Sequence, residues 1–400
     1  MKMYVEMHII QNFAPSCLNR DDTNMPKDCE FGGFTRGRIS SQCLKRSIRT
    51  SRIFAENLQT AIGVRTRQIP TELLNRLVAA GRPEDKAREI VASFIPEALG
   101  KIDATMKSSA LVYVSKNEVD QMFEIIQANW DALLSASASA PIADEGEKSS
   151  NRRKKSEAAK TALQSLCSQL AKSCELGDIS PDIALFGRMM AERPQLNVEG
   201  AAQVAHAIST NKVNHEIDFY TAVDDLSADD DAGAGMMGTV AFNSACFYRY
   251  SVVNVDQLVS SLGGDRETAV RTIEAFVKAN VAAIPTGKQN SMAAHNPPSL
   301  VLVTVRRGQP ISLTNAFVRP VGNGGKEGDM IGESIGRLDS YLADVMSLYG
   351  QEEWAFAGAV VLGEYQLEKA TALGLKRFGS FSALFESLRG AIDGNATPAT

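Results

Sequence analysis

Apolar residues recur along the chain with two periods. Residues 1–12 set Met3, Val5, Met7 and Ile9 against Tyr4, Glu6, His8 and Ile10, a period of two that predicts a strand opening a sheet. Residues 239–252, with Phe242, Phe247, Tyr248, Arg249 and Tyr250, read as a long aromatic strand. Residues 300–305 are almost continuously apolar and suit a central strand, and a further strand is expected near 355–362. Helical spacing dominates elsewhere. Ser40 or Ser41 caps a helix whose inward stripe uses Leu44, Ile48, Ala55 and Leu58. Helices are expected over 71–80 and 84–94, on either side of the Gly81/Pro83 break. Ser115 and Glu118 have capping-box spacing ahead of the stripe Val119, Met122, Phe123, Ile126, Trp130 and Leu133, in which Trp130 is a packing residue. Further helices are expected over 157–175, 255–262, 266–283, 330–348 and 378–388, with a short one over 200–210 that holds His206.

The punctuation between these elements suggests organisation. A long polar loop spans 13–34, and from about 60 to 186 the texture turns to helices and loops, like a helical insertion. Residues 136–156 form a small-residue, charged linker ending in Arg152-Arg153-Lys154-Lys155. Asp224, Asp225, Asp229, Asp230 and Asp231 precede a glycine turn, 285–298 suits a polar surface or recognition loop, and 393–400 is a loose tail. At 400 residues and 44% hydrophobic, the chain can bury a sizeable core in a main domain with one or two appendages. No apolar run long enough for a secretory signal or a membrane span follows Lys2. The six cysteines are dispersed, which fits reduced thiols in a cytoplasmic protein. No CxxC or HExxH occurs, the four histidines are far apart, and His8 and His206 read as structural histidines, so no metal or cofactor is expected.

Charge changes this picture. Net charge is −5, yet the stretch 17–52 ends in Arg36, Arg38, Lys45, Arg46, Arg49 and Arg52 with no acidic residue between them. Such a local excess is the footprint of a polyanion partner. Asn19-Arg20-Asp21-Asp22 can brace itself as a polar turn that leaves Arg20 to meet phosphate. Gly32-Gly33 permits a tight turn but matches neither a Walker A loop nor GxGxxG. A capped helix offering backbone amides beside Lys45, Arg49 and Arg52 makes a phosphate clamp; the alternative is a solvated basic helix balanced by acids elsewhere. In Asp218-Phe219-Tyr220-Thr221 two neighbouring rings sit in a polar setting, where one packs inward and the other is left for stacking, or both simply pack.

Three blocks, residues 16–22 (SCLNRDD), Phe31-Gly32-Gly33 and residues 38–46 (RISSQCLKR), closely resemble the CasC family, the backbone subunit of type I-E CRISPR Cascade. Residues 218–226 (DFYTAVDDL) and Phe247-Tyr248-Arg249-Tyr250 extend the resemblance over most of the chain. It implies an α+β fold with a modified RNA-recognition (ferredoxin-like) core made of 1–60 and 238–375. A helical finger-like insertion would occupy 61–187 and a thumb-like insertion 188–237, before a C-terminal helix and tail over 376–400. It also implies that Arg20, Lys27, Ser40, Gln42, Lys45 and Arg49 contact the guide backbone and that Met189 packs near the RNA. Phe219 and Tyr220, where the family often has Trp-Phe, would hold a displaced guide base at the junction with the next copy.

The function so implied is non-catalytic. Copies of the chain polymerise along a CRISPR guide RNA beside other Cascade subunits, hold its phosphates, and present guide segments for pairing with target DNA. Two alternatives stay open. Asp21 and Asp22 could hold Mg²⁺ for RNA cleavage, or the chain could be a protein-binding scaffold without RNA.

Overall fold

A strand buried on both faces belongs in the middle of a sheet, and β1 (Met3–Ser16) takes that place, with Val5 through Ile10 all buried, the polar Glu6 and His8 among them. In the computed structural model, residues 2–58, 62–137, 165, 179–223, 234–322 and 329–394 are described. The other strands are β2 (Asp28–Phe31), β3 (Phe34–Ile39), β4 (Val64–Thr66), β5 (Val112–Val114), β6 (Ala202–Val204), β7 (Ala207–Ser209), β8 (Glu216–Val223), β9 (Ala234–Asn254), β10 (Leu300–Arg307), β11 (Trp354–Val361) and β12 (Lys376–Arg377). The main sheet runs β12-β11-β10-β1-β9-β7-β3-β2, with β6 and β8 also paired to β9. Its pairs are antiparallel except β11 with β12, so the fold is α+β around a mixed sheet. The expected strand and helices near 355–362, 266–283 and 330–348 appear as β11, Arg266–Ala282 and Met330–Tyr349.

The chain divides into two compact units. The first comprises Met1–Asn57, Ala202–Val255 and Ile273–Thr400. One face of its sheet packs Ile10, Tyr248, Leu300 and Leu302 against Leu313, Phe317, Ile335, Leu338 and Leu342. Polar side chains on this face are hydrogen-bonded to backbone and to one another. Glu6 accepts from Tyr250 Oη at 2.7 Å and from Ile311 N at 2.7 Å. Tyr248 Oη accepts from Leu313 N at 3.0 Å and is hydrogen-bonded to Nδ1 of the buried His8 at 2.8 Å. Burial in turn lowers the His8 pKa to about 3. The second unit comprises Leu58–Ala201 and Asp256–Thr272. Its core gathers Leu73, Leu77, Ile90, Phe94, Met122, Ile126 and Trp130. Ser115 and Glu118 form the capping box on Lys116–Ala128, and Trp130 is buried beneath the Arg82 guanidinium.

Several expectations need correction. Residues 200–210 form β6 and β7 rather than a helix, because β9 is 21 residues long and offers both a partner edge. His206 therefore sits exposed in the joint between them, where its Nδ1 faces Arg38 Nη1 at 3.3 Å and Ser41 N at 3.4 Å. The polar loop expected from 13 begins later, since β1 continues to Ser16. The helix expected through Leu58 breaks after α1 (Ser41–Arg49) and resumes as Arg52–Leu58, where Phe54 fills the inward position and Ala55 is only half-buried. Lys116–Ala128 likewise ends at Asn129, and Trp130 opens a separate helix. The basic tetrad Arg152–Lys155, almost all of the helix expected over 157–175, the five aspartates of 224–231 and the tail from 395 lie outside the described residues. Among the described residues no helix is long and apolar enough to cross a membrane.

Candidate nucleic-acid interface

Ser40, rather than Ser41, caps α1: its side chain accepts from Cys43 N at 3.4 Å. Its own amide donates to Asn19 Oδ1 at 2.9 Å, which stitches the preceding polar loop onto the cap. That loop is braced from within. Asp21 Oδ1 accepts from Thr23 N, Thr23 Oγ1 and Met25 N at 2.8–2.9 Å, while Asn24 takes the left-handed conformation that closes the turn. The Thr23 hydroxyl holds the Asp21 carboxyl below its ordinary range, against a smaller effect of desolvation. Lys27 N donates to Asn19 O, and Arg38 N to Lys27 O, both at 2.8 Å. The result is a loop whose backbone is tied down at several points. Arg20 is exposed and donates to Asn24 Oδ1 at 3.1 Å, and Lys27 is half-buried.

Burial redistributes the basic run. Arg36 is 0% exposed and donates to four carbonyls, those of Ser209, Thr210, Phe317 and Val318, at 2.7–3.1 Å. It is a structural cation and leaves the polyanion footprint. Arg52 is exposed but paired with Glu56 at 2.6 Å. Arg49 is buried, Lys45 is half-buried with Nζ 3.3 Å from Ala202 O, and Gln42 and Arg46 are exposed. Lys27 and Arg46 both act on the Cys43 thiol: burial pushes its pKa up, and their charges pull the other way. Lys27 and the outer face of α1 therefore share one electrostatic neighbourhood.

The polar loop 285–298 joins this neighbourhood, an adjacency the linear sequence did not reveal. Gly287 lies so close to the Cys17 and Leu18 carbonyls that a Cβ would collide with both. Asn296 fastens the far end, accepting from Ala14 N through Oδ1 at 3.3 Å and from Gln11 Nε2 through its carbonyl at 2.8 Å. Lys288 and Ala293 both hold left-handed backbone around the short helix Gln289–Met292. The Lys288 charge also reaches the Cys17 thiol, whose pKa burial raises. The available signal was Gly287 beside Lys288, a backbone that permits close approach next to a cation.

The aromatic pair lies on β8. Phe219 and Tyr220 point to opposite faces, as strand geometry requires, but neither packs inward: they are 61% and 41% exposed. Tyr220 faces Gly238 across the ribbon and lies over it, in space that a Cβ at 238 would occupy. Ile217, Met236 and Met237 are exposed on the same ribbon. Met189, in the second unit, is 82% exposed on a turn closed by reciprocal backbone bonds of Arg188 and Val198 at 2.9 Å. Beneath it the buried Arg188 guanidinium meets Glu118 Oε1 at 2.6 Å and the carbonyls of Tyr113 and Leu196. Among the described residues no cluster of three or more potential metal ligands occurs.

The braced loop, the capped helix and the aromatic ribbon all belong to the first unit, and solved structures resemble the whole chain. One chain of a structure titled "CRISPR RNA-guided surveillance complex, pre-nicking" matches with a TM-score of 0.80 at 29% identity, over 97% of this chain and 100% of that one. A chain of another "CRISPR RNA-guided surveillance complex" matches with a TM-score of 0.70 at 25% identity, over 97% and 99%. Residues 5–387 match the model of the CT1975-like protein family, and the chain belongs to that family. No curated protein matches it significantly.

Proposed function

We propose that the chain is a guide-RNA-binding, non-catalytic backbone subunit of a CRISPR surveillance complex of the type I-E kind. Several copies assemble along one guide, hold its phosphates and present its bases to target DNA, so complementarity supplies the sequence selectivity. The observation that carries this reading is the likeness over almost the whole of both chains to members of RNA-guided surveillance complexes. The site's chemistry supports it: Arg20, Lys27, Gln42, Lys45 and Arg46 suit a backbone contact that ignores base identity, and exposed rings suit stacking. In this reading the sheet of the first unit is the RNA-recognition-like core, the helices after residue 60 are the finger, and the β8–β9 ribbon belongs to the thumb. Arg49 acts from beneath the surface rather than as a leading contact.

The nuclease alternative gains less support. Asp21 Oδ1 already accepts from three donors, so it is committed to bracing its own loop. A guide-bound preparation that cleaves its RNA on addition of Mg²⁺ or Mn²⁺ would restore that alternative. The direct test is co-expression with a candidate guide and the neighbouring subunits, followed by mass measurement of intact protein–RNA particles. Several copies per guide is the expected result. A stable single chain that retains no RNA at moderate salt after nuclease-free purification would overturn it in favour of a protein-binding scaffold.

A further inference from the structure

Among the described residues, the ribbon formed by β8 and the facing part of β9 has no covering layer. Every side chain from Glu216 to Ala222 is exposed, and so are Met236, Met237 and Thr239 opposite them. A two-stranded ribbon with no covered face twists easily and is marginal by itself. Its angle must therefore be set at the root, where it leaves the sheet. There Val213 N donates to Thr35 O at 3.1 Å, and Ala241 and Asn243 are buried.

His215 stands between this root and the first residue of β8. Its Nε2 lies 2.9 Å from Asp28 Oδ2 on β2, and its side chain is 23% exposed. Among the described residues Nδ1 is buried without a hydrogen-bond partner, so the bond to Asp28 is the ring's polar anchor. Asp28 follows Lys27 directly, and its carbonyl accepts from Arg38 Nε at 2.9 Å. The ribbon is thus fastened to the same segment that presents Lys27 beside α1.

We propose that His215 and Asp28 form a latch that sets the angle of the ribbon, making His215 a positioning residue for Phe219 and Tyr220. The consequence for RNA rests on the guide-binding reading above; the latch itself does not. Phe219 lies four residues beyond His215, about 13 Å at ~3.3 Å per residue, so a tilt of about 10° at the root moves it by roughly 2 Å. A gap of half that size already forfeits much of a dispersion contact. Without the latch the aromatic residues would still be present but would no longer meet each successive base at one height.

The test uses the full chain and four variants: H215A, D28A, the double variant, and H215Q, whose amide can still donate to Asp28. Amide exchange over residues 217–222 is followed by mass spectrometry, and RNA assembled with the protein is digested to read the spacing of protected fragments. H215A and D28A are expected to exchange about tenfold faster in the ribbon, with the double variant no faster than either single one and H215Q close to the parent. Protected fragments should lose their regular spacing in H215A and regain it in H215Q, while affinity for a short RNA stays within about twofold, since the backbone contacts at α1 are intact. Parental exchange and spacing in H215A would overturn the latch, as would failure of H215Q to restore exchange in protein whose unfolding midpoint matches the parent. If the parent itself retains no RNA, the guide-binding reading fails and the exchange data alone decide the latch.

Discussion

At the scale of single residues, burial decides what a charge does. Arg36 and Arg46 are equivalent letters in the basic run, yet one is sealed against four carbonyls and the other is exposed. Arg36→Ala should therefore cost about 3 kcal/mol or more, by leaving buried acceptors unpaired, where Arg46→Ala changes stability by less than about 0.5 kcal/mol. Chemical denaturation of both variants checks the contrast. His8 carries a pH prediction. Its folded pKa of about 3 lies below the ordinary 6.5, so the unfolded chain binds the extra proton between those values. Its contribution is complete above pH 6.5 and is lost as pH falls toward 3, by about 2 kcal/mol on reaching pH 5 at ~1.36 kcal/mol per unit. Buried Glu6 has a raised pKa and acts in the opposite sense, losing stability as pH rises above its ordinary 4.5. The comparison is thus between the parent and His8→Gln, whose stability should fall less between about pH 7 and pH 5.

At the scale of elements, α1 and the loop before it work as one piece, because Asn19 Oδ1 holds the amide of the cap residue. Lys45→Ala removes a half-buried cation from the helix without touching that tie. In the guide-binding reading it should weaken binding of any RNA sequence about equally, and lower the slope of log affinity against log salt by about 0.7, one single-strand phosphate contact. An unchanged slope across a salt titration would remove Lys45 from the interface. Arg49→Ala is a poorer probe, since burial of Arg49 mixes a folding cost into any binding loss. The hairpin of β2 and β3 is held in turn: Gly32 adopts φ +63° directly against the Val318 carbonyl, a place no side chain can share.

At the scale of the whole molecule, the proposed assembly makes the ribbon a contact between copies rather than a part of any core. Phe219→Ala plus Tyr220→Ala should leave the unfolding midpoint nearly unchanged, since neither ring belongs to a buried core, and should abolish regular spacing of nuclease-protected RNA. Loss of the fold with intact spacing would contradict that division. The same exposure explains why the aromatic pair was ambiguous in the linear pattern. Alternation places Phe219 and Tyr220 on opposite faces, but only their exposure in the folded chain shows that neither enters a core.

The linear pattern by itself determined the elements whose signal is local and repeated: β1 and β10, the capping box at Ser115, a cap for α1 at one of two adjacent serines, and the self-bracing turn at Asp21. Hydrophobic period and capping chemistry act within a few residues, so they survive in one dimension. Tertiary structure alone decided that β9 recruits residues 202–209 as strands, that Arg36 and Arg49 are buried, that loop 285–298 lies against Cys17 and Leu18, and that His215 reaches Asp28. Each of these depends on a partner far away in the chain, and the free energy of burying or pairing a group is set by that partner rather than by the group's own neighbours.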